Sequence, residues 1–133
     1  MRKLAGVVLA MMVTYACLAE DNPLSVHVLN TSTGLPSADV AVTLDQKVDG
    51  QWRPLAHAAT DAHGRVQALY PAQQPMQSGV YRVTFNTGEW FKQRGEQTFF
   101  PEASVVFQVD GTVPHYHIPL LISPYGYATY RGN

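Results

Sequence analysis

An antiparallel β-sandwich is the fold class that this sequence predicts, and three observations carry the prediction. Runs rich in β-branched and aromatic residues dominate the chain and alternate with polar residues at period two. Helical periodicity is nearly absent. Turn residues interrupt the runs at roughly regular spacing, as they do where short strands fold back on one another.

The elements follow in order. Leu24 to Leu29 (LSVHVL) is a β-rich run closed by Asn30-Thr31-Ser32-Thr33-Gly34. Asp39 to Val48 alternates, with Val40, Val42 and Leu44 on one face and Thr43 and Asp45 on the other. Trp52 to Thr60 is a weaker strand, broken near Pro54, which has no amide hydrogen to give a ladder. Asp61-Ala62-His63-Gly64 is a turn, and Arg65 opens a short strand to Leu69. Pro71 to Gly79 (PAQQPMQSG) is the loosest stretch and reads as a surface loop. Gly79 to Phe85 (GVYRVTF) alternates well, and Glu89 to Arg94 (EWFKQR) is the one short helix. Ser104–Val109, His115–Ile122 and Tyr125–Arg131 complete a set of about eight strands. No repeat, low-complexity tract or linker divides the chain, and 133 residues make one domain.

The first segment stands outside that domain. Met1-Arg2-Lys3 is basic, Leu4 to Leu18 is apolar, and Cys17-Leu18-Ala19 supplies the small residues of a cleavage site. This is the pattern of a signal peptide over residues 1–19, and it predicts an exported protein, periplasmic in a Gram-negative source. The apolar run is shorter than the ~20 residues that a membrane span needs. The mature chain, residues 20–133, then holds no cysteine, because Cys17 is the only one. An exported domain without disulfides must be held by its core, or by core and subunit contacts. Without Arg2 and Lys3, seven basic residues face ten acidic ones. No basic run exists, which argues against a nucleic-acid partner.

Five histidines in so short a chain raise the question of metal or proton chemistry. His115 and His117 have strand spacing that points both imidazoles to one face. His27 lies on the first strand, with Ser25 and Leu29 on its face. Should these strands be neighbours, three imidazoles meet. Such a set suits zinc, and it equally suits metal-free general base catalysis near neutral pH. Spacing alone does not choose. His57 and His63, in a weak strand and a turn, are given no role. Arg65 follows a turn and opens an apolar strand, where a guanidinium fork either sits at the surface or holds an anion. The chain end is unusual: Tyr125, Tyr127, Tyr130 and Arg131 lie where termini usually fray. No GxSxG elbow and no phosphate-binding glycine loop is present, so neither a serine nucleophile nor a cofactor is expected.

These residues also carry a resemblance. His27-Val28-Leu29-Asn30 with Gly34-Leu35-Pro36 resembles the N-terminal signature of the transthyretin family. His115-Tyr116-His117-Ile118-Pro119-Leu120-Leu121 through Ser123-Pro124-Tyr125-Gly126-Tyr127 resembles its C-terminal signature, and Tyr130-Arg131-Gly132 resembles the tail of the hydroxyisourate hydrolase branch. Gly64-Arg65 and Phe99-Phe100-Pro101 match between them. The resemblance spans about Leu24 to Asn133.

It implies a sandwich of two four-stranded sheets with one short helix, assembled as a homotetramer whose substrate pockets lie at the interface between dimers. It implies hydrolysis of 5-hydroxyisourate to 2-oxo-4-hydroxy-4-carboxy-5-ureidoimidazoline, a step of purine degradation, with His27, Arg65 and His117 as the catalytic residues. Tyr130, Arg131, Gly132 and Asn133 join His27 and Arg65 in binding substrate. Two positions depart from the branch: Asn133 stands where its tail closes on Ser, and Ala128 where Ser often precedes Thr129. The competing readings are an exported carrier of small aromatic ligands on the same scaffold, and a zinc-binding module built on His115 and His117.

Overall fold

The computed structural model describes residues 21–133, so residues 1–19, expected from their sequence to be a signal peptide, lie outside the described residues. Nine strands and one helix follow in chain order: β1 (Leu24–Asn30), β2 (Leu35–Pro36), β3 (Ala41–Val48), β4 (Gln51–Ala59), β5 (Arg65–Val66), β6 (Gly79–Phe85), α1 (Thr87–Gln93), β7 (Ala103–Val109), β8 (Tyr116–Ser123) and β9 (Gly126–Thr129). They form two sheets. One runs β4-β3-β6-β7, antiparallel throughout. The other runs β2-β1-β8-β9, and β5 shares the outer edge of β1 with β2. The second sheet therefore has five strands, two of them only two residues long.

The alternation seen in the sequence is the alternation of the two sheet faces. Leu24, Val26 and Val28 of β1 are buried, while Ser25, His27 and Leu29 point to the opposite face. Val42 and Leu44 of β3, Val83 and Phe85 of β6, and Leu120 and Ile122 of β8 meet them between the sheets. Each such side chain taken fully out of water contributes roughly 1.5–3 kcal/mol. Asp45 faces away from this core and is held by Arg82, whose Nη2 donates to Oδ2 at 2.8 Å.

Local departures have local causes. The β3–β4 register slips between Leu44, opposite Ala56, and Asp45, opposite Pro54. This bulge lets β4 continue past a proline, which the edge position tolerates. The strand expected from Arg65 to Leu69 pairs only at Arg65 and Val66, and a single bond from Leu69 N to Leu24 O resumes contact. The helix starts at Thr87 and docks by Trp90, whose indole N–H donates to Ala38 O at 2.7 Å. Pro119 lies inside β8 with strands on both sides, where prolines are rare. Gly132 N donates to His117 O at 3.0 Å. In antiparallel alternation the next such pair is Pro119 with Tyr130, and there proline has no hydrogen to give. The paired strand accordingly ends at Thr129, whose Oγ1 donates to Pro119 O at 2.8 Å.

Gly64 ties the turn before Arg65 to β1. Its φ is +71°, its carbonyl accepts from Val28 N at 2.8 Å, and an added Cβ would lie 2.5 Å from Val28 O. Both the left-handed backbone and the close approach exclude a side chain. Gly64→Ala is expected to lower stability by ~2 kcal/mol or more, read as a fall in the urea midpoint. An unchanged midpoint would show that the turn tolerates a Cβ.

Candidate active site

The only parallel pairing in the two described sheets builds the site. β1 runs alongside β8 with Ser25 opposite His117 and His27 opposite Pro119. On the other edge of β1, Arg65 of β5 stands opposite His27. Residues directly opposite one another hold their Cβ atoms ~5 Å apart. Two neighbouring rows thus cross the outward face of the sheet. One reads Arg65, His27, Pro119 and, by continued register, Tyr130. The other reads Ser25, His117 and Gly132. A third row, Leu29, Leu121 and Ala128, is apolar and borders them.

His117 is the most tightly framed member. Ser25 Oγ lies 2.7 Å from its Nδ1, and Gly132 presses on the other side of the ring. A Cβ at Gly132 would lie 2.5 Å from His117 Cδ2 and 3.1 Å from Pro119 Cγ, so the tail reaches this face only because that residue is glycine. His115 joins from just before β8. Its Nε2 lies 2.9 Å from Ser25 Oγ, and its Nδ1 lies 2.9 Å from the carbonyl oxygen of Asn22. Asp61 shapes the other end, its Oδ1 accepting from His63 N at 2.8 Å and Arg65 N at 3.0 Å. These bonds hold its carboxyl below the usual carboxylate range, with the Arg65 amide as the largest cause.

Both site imidazoles are pushed toward the neutral form. Burial is the larger cause for His27, and the Arg65 guanidinium adds to it. Contact with the His63 backbone and the charge of Asp61 oppose the shift. Burial again leads for His117, followed by the charges of Arg65, His115 and His27, with the Ser25 backbone opposing. A neutral imidazole beside a permanent cation is a base next to an anion holder.

The sequence candidates do not all converge. His27, Arg65, His117 and Gly132 share the outward face, and Tyr130 stands at its rim, 61% exposed. Arg131 turns to the other side, its guanidinium 5.9 Å from the Tyr116 ring centroid. There it lines a cleft of about 300 Å³ between the chain end and β7, with Phe107, Tyr116 and Ile118. On the Arg65 side an open groove of about 840 Å³ is lined by Arg65, Ser25, Gln67 and His115. Asn133 is exposed beyond Gly132. His57 is exposed on the other sheet, away from the site. Among the described residues no three His, Cys, Asp or Glu side chains converge as a metal ion requires. Both ring nitrogens of His115 are engaged by Ser25 and Asn22 instead. Ser25 is the residue whose part the sequence conceals. A lone serine carries no signal beyond its parity with His27, and only the β1–β8 register brings it to His117.

The arrangement defines a β-sandwich protein with a histidine–arginine site on one sheet face. A family model described as the HIUase/transthyretin family matches residues 24–132, and the chain belongs to that family. It is 48% identical over 118 residues to the 5-hydroxyisourate hydrolase of Salmonella typhimurium, covering 89% of this chain and 86% of that one. The structure of Klebsiella pneumoniae 5-hydroxyisourate hydrolase superposes with a TM-score of 0.72 at 38% identity, covering 83% of this chain and 98% of the other. Sea bream transthyretin in complex with thyroxine superposes with a TM-score of 0.78 at 37% identity, covering 83% and 94%. The fold is thus shared by a hydrolase and by a transthyretin in complex with thyroxine.

The electrostatics of the site predict its titration. By nuclear magnetic resonance, His27 and His117 are each expected to titrate below the ordinary imidazole value of 6.5. Arg65→Ala removes a cation that disfavours the imidazolium, so both titrations move up. Titrations that stay in place would remove Arg65 from the electrostatics of the site.

Proposed function

We propose that this chain hydrolyses 5-hydroxyisourate in purine degradation, and that the outward face of the β1–β8 sheet is where it does so. The observation that carries the reading is the adjacency of Arg65, His27 and His117 on one face. Both imidazoles there are held toward neutrality beside a fixed positive charge. Ring opening needs those two things, a base for water and a cation for the oxyanion. The likeness to named hydrolases over most of the chain supports the substrate.

In this mechanism water attacks the C6 carbonyl of the substrate. His27 and His117 orient the water, and an imidazole takes its proton as the new C–O bond forms. Arg65 binds the substrate and stabilises the oxyanion. The tetrahedral intermediate then collapses, the C6–N1 bond breaks, and N1 receives the proton from the imidazolium. The atoms balance as one water added: C6 stays on the product as a carboxylic acid, which ionises by giving its proton to solvent. Tyr130 stacks or bonds at the rim. Arg131 reaches the site only through the cleft that His117 and Tyr130 also line, Gly132 packs on the His117 ring, and Asn133 offers its amide where the branch has a serine hydroxyl. No step calls for a cofactor or metal.

The assembly and the address belong to the same reading. The apolar row Leu29, Leu121 and Ala128 beside the site suits a homotetramer, a dimer of dimers in which facing copies enclose the pocket. The basic and apolar leader over residues 1–19 suits export, with the mature domain at 20–133. Among the described residues no helix is long and apolar enough to cross a membrane.

The decisive assay mixes the mature chain with freshly generated 5-hydroxyisourate and follows its ultraviolet decay. Decay no faster than in buffer would sink the assignment. His27→Ala and His117→Ala are expected to lose about 10²- to 10⁴-fold in rate, and Arg65→Ala about 10²- to 10³-fold. Full activity in all three moves the site elsewhere. Added chelator should leave the rate unchanged. Native mass spectrometry of the exported protein should give four copies, each beginning at Glu20; a monomer, or a chain that keeps its leader, would overturn those parts.

A further inference from the structure

The hydrogen bonds behind His117 have a direction, and chemistry fixes it. A carbonyl oxygen only accepts, so the 2.9 Å contact between Asn22 O and His115 Nδ1 puts the proton on that nitrogen. In a neutral imidazole the other nitrogen is then an acceptor. His115 Nε2, 2.9 Å from Ser25 Oγ, therefore takes the single hydroxyl hydrogen of Ser25. That hydrogen being committed, Ser25 Oγ can only accept at its 2.7 Å contact with His117 Nδ1. His117 must carry its proton on Nδ1. The opposite direction requires an imidazolium at His115, with both nitrogens donating.

Resting on the hydrolase reading above, we infer that Asn22, His115 and Ser25 form a chain of hydrogen bonds that fixes the tautomer of His117 and leaves Nε2 as its basic atom. Ser25 and His115 are positioning residues: neither needs to touch substrate, and both act through the imidazole. Gly132 completes the frame. It packs against Cδ2, on the side of the ring away from Nδ1, so ring orientation and tautomer are set from opposite edges. The line joins two strands and the segments leading into them, since Asn22 precedes β1, Ser25 lies in β1, and His115 and His117 flank the start of β8. The groups around it are the site's own: Arg65 and Gln67 line the groove beside His115, together with Asp21.

The inference separates from the substrate assignment because a tautomer is read without substrate. Histidine is labelled with ¹⁵N in the full mature chain, and the ring nitrogens of His117 are correlated with its carbon-bound hydrogens at pH 8. The expected result is the Nδ1–H form in the wild type and its loss in Ser25→Ala. With 5-hydroxyisourate, Ser25→Ala should lower kcat by about 10- to 100-fold with little change in KM, the range seen when a partner that orients a working imidazole is removed. Ser25→Thr keeps the hydroxyl and should retain both the tautomer and most of the rate. An Nε2–H tautomer in the wild type overturns the inference at once, whether or not Ser25→Ala folds. So does a Ser25→Ala enzyme with undiminished kcat. A wild-type chain with the Nδ1–H tautomer but no turnover of 5-hydroxyisourate would instead overturn the substrate and leave the chain of bonds standing.

Discussion

The parallel pairing of β1 with β8 is the constraint on which the rest of the molecule depends. It joins segments some ninety residues apart, as in Ser25 opposite His117. Its register decides two things at once. On the inner face it brings Leu24, Val26 and Val28 against Tyr116, Ile118 and Leu120, in the core. On the outer face it brings Ser25 and His27 against His117 and Pro119. A slip of one residue would invert both faces. The hydrophobic core therefore enforces the register, and the register assembles the site. Packing energy of the kind that any sandwich needs is what aligns the reactive groups.

The same economy appears in the electrostatics. Polar side chains on a sheet face are cheap while water reaches them and costly once buried without partners. Here several are answered. Ser25 is shared by two imidazoles, His115 is bonded at both nitrogens, and Asp61 is bonded by the amides that shape its turn. Arg65 has a different effect. Its guanidinium stands beside His27 and forms no ion pair with a carboxylate among the described residues, and its charge bears on both neighbouring imidazoles. That positive potential adds to burial in disfavouring the imidazolium form of both.

Much of this was legible from the chain itself. Period-two alternation in β1, β3 and β6 defines faces unambiguously, so His27, Ser25 and Leu29 could be placed together before any fold was known. The two-residue strand β2 was not visible, because two residues carry no period, and β5 was read from Arg65 to Leu69 although it pairs only at Arg65 and Val66. Their extent is set by how long the loops lie against β1. The tail was half legible. Tyrosines and an arginine near the end signalled order, yet alternation around the missing Pro119 amide separates Tyr130 and Gly132 from Arg131. The part played by Ser25 was beyond sequence logic, since it follows from which strand lies beside β1 and in what register.

The sheet edges differ in a way that bears on how copies of the chain meet. β4 ends its sheet with Pro54 and a bulge, which interrupt the row of amides a further strand would need. β7 and β9, at the opposite ends of the two sheets, contain neither proline nor charge, and Val106 and Tyr127 are exposed along them. Each sheet is thus capable of extension on one side. Two molecules that met through these strands about a two-fold axis would consume both open edges and leave outward only β4, with its proline and bulge, and the two-residue strands β2 and β5, which are too short to template another strand. Growth by strand addition would stop at the pair. A fold rich in exposed β-structure, with no cysteine in residues 20–133, would in this way be shielded from becoming a fibre.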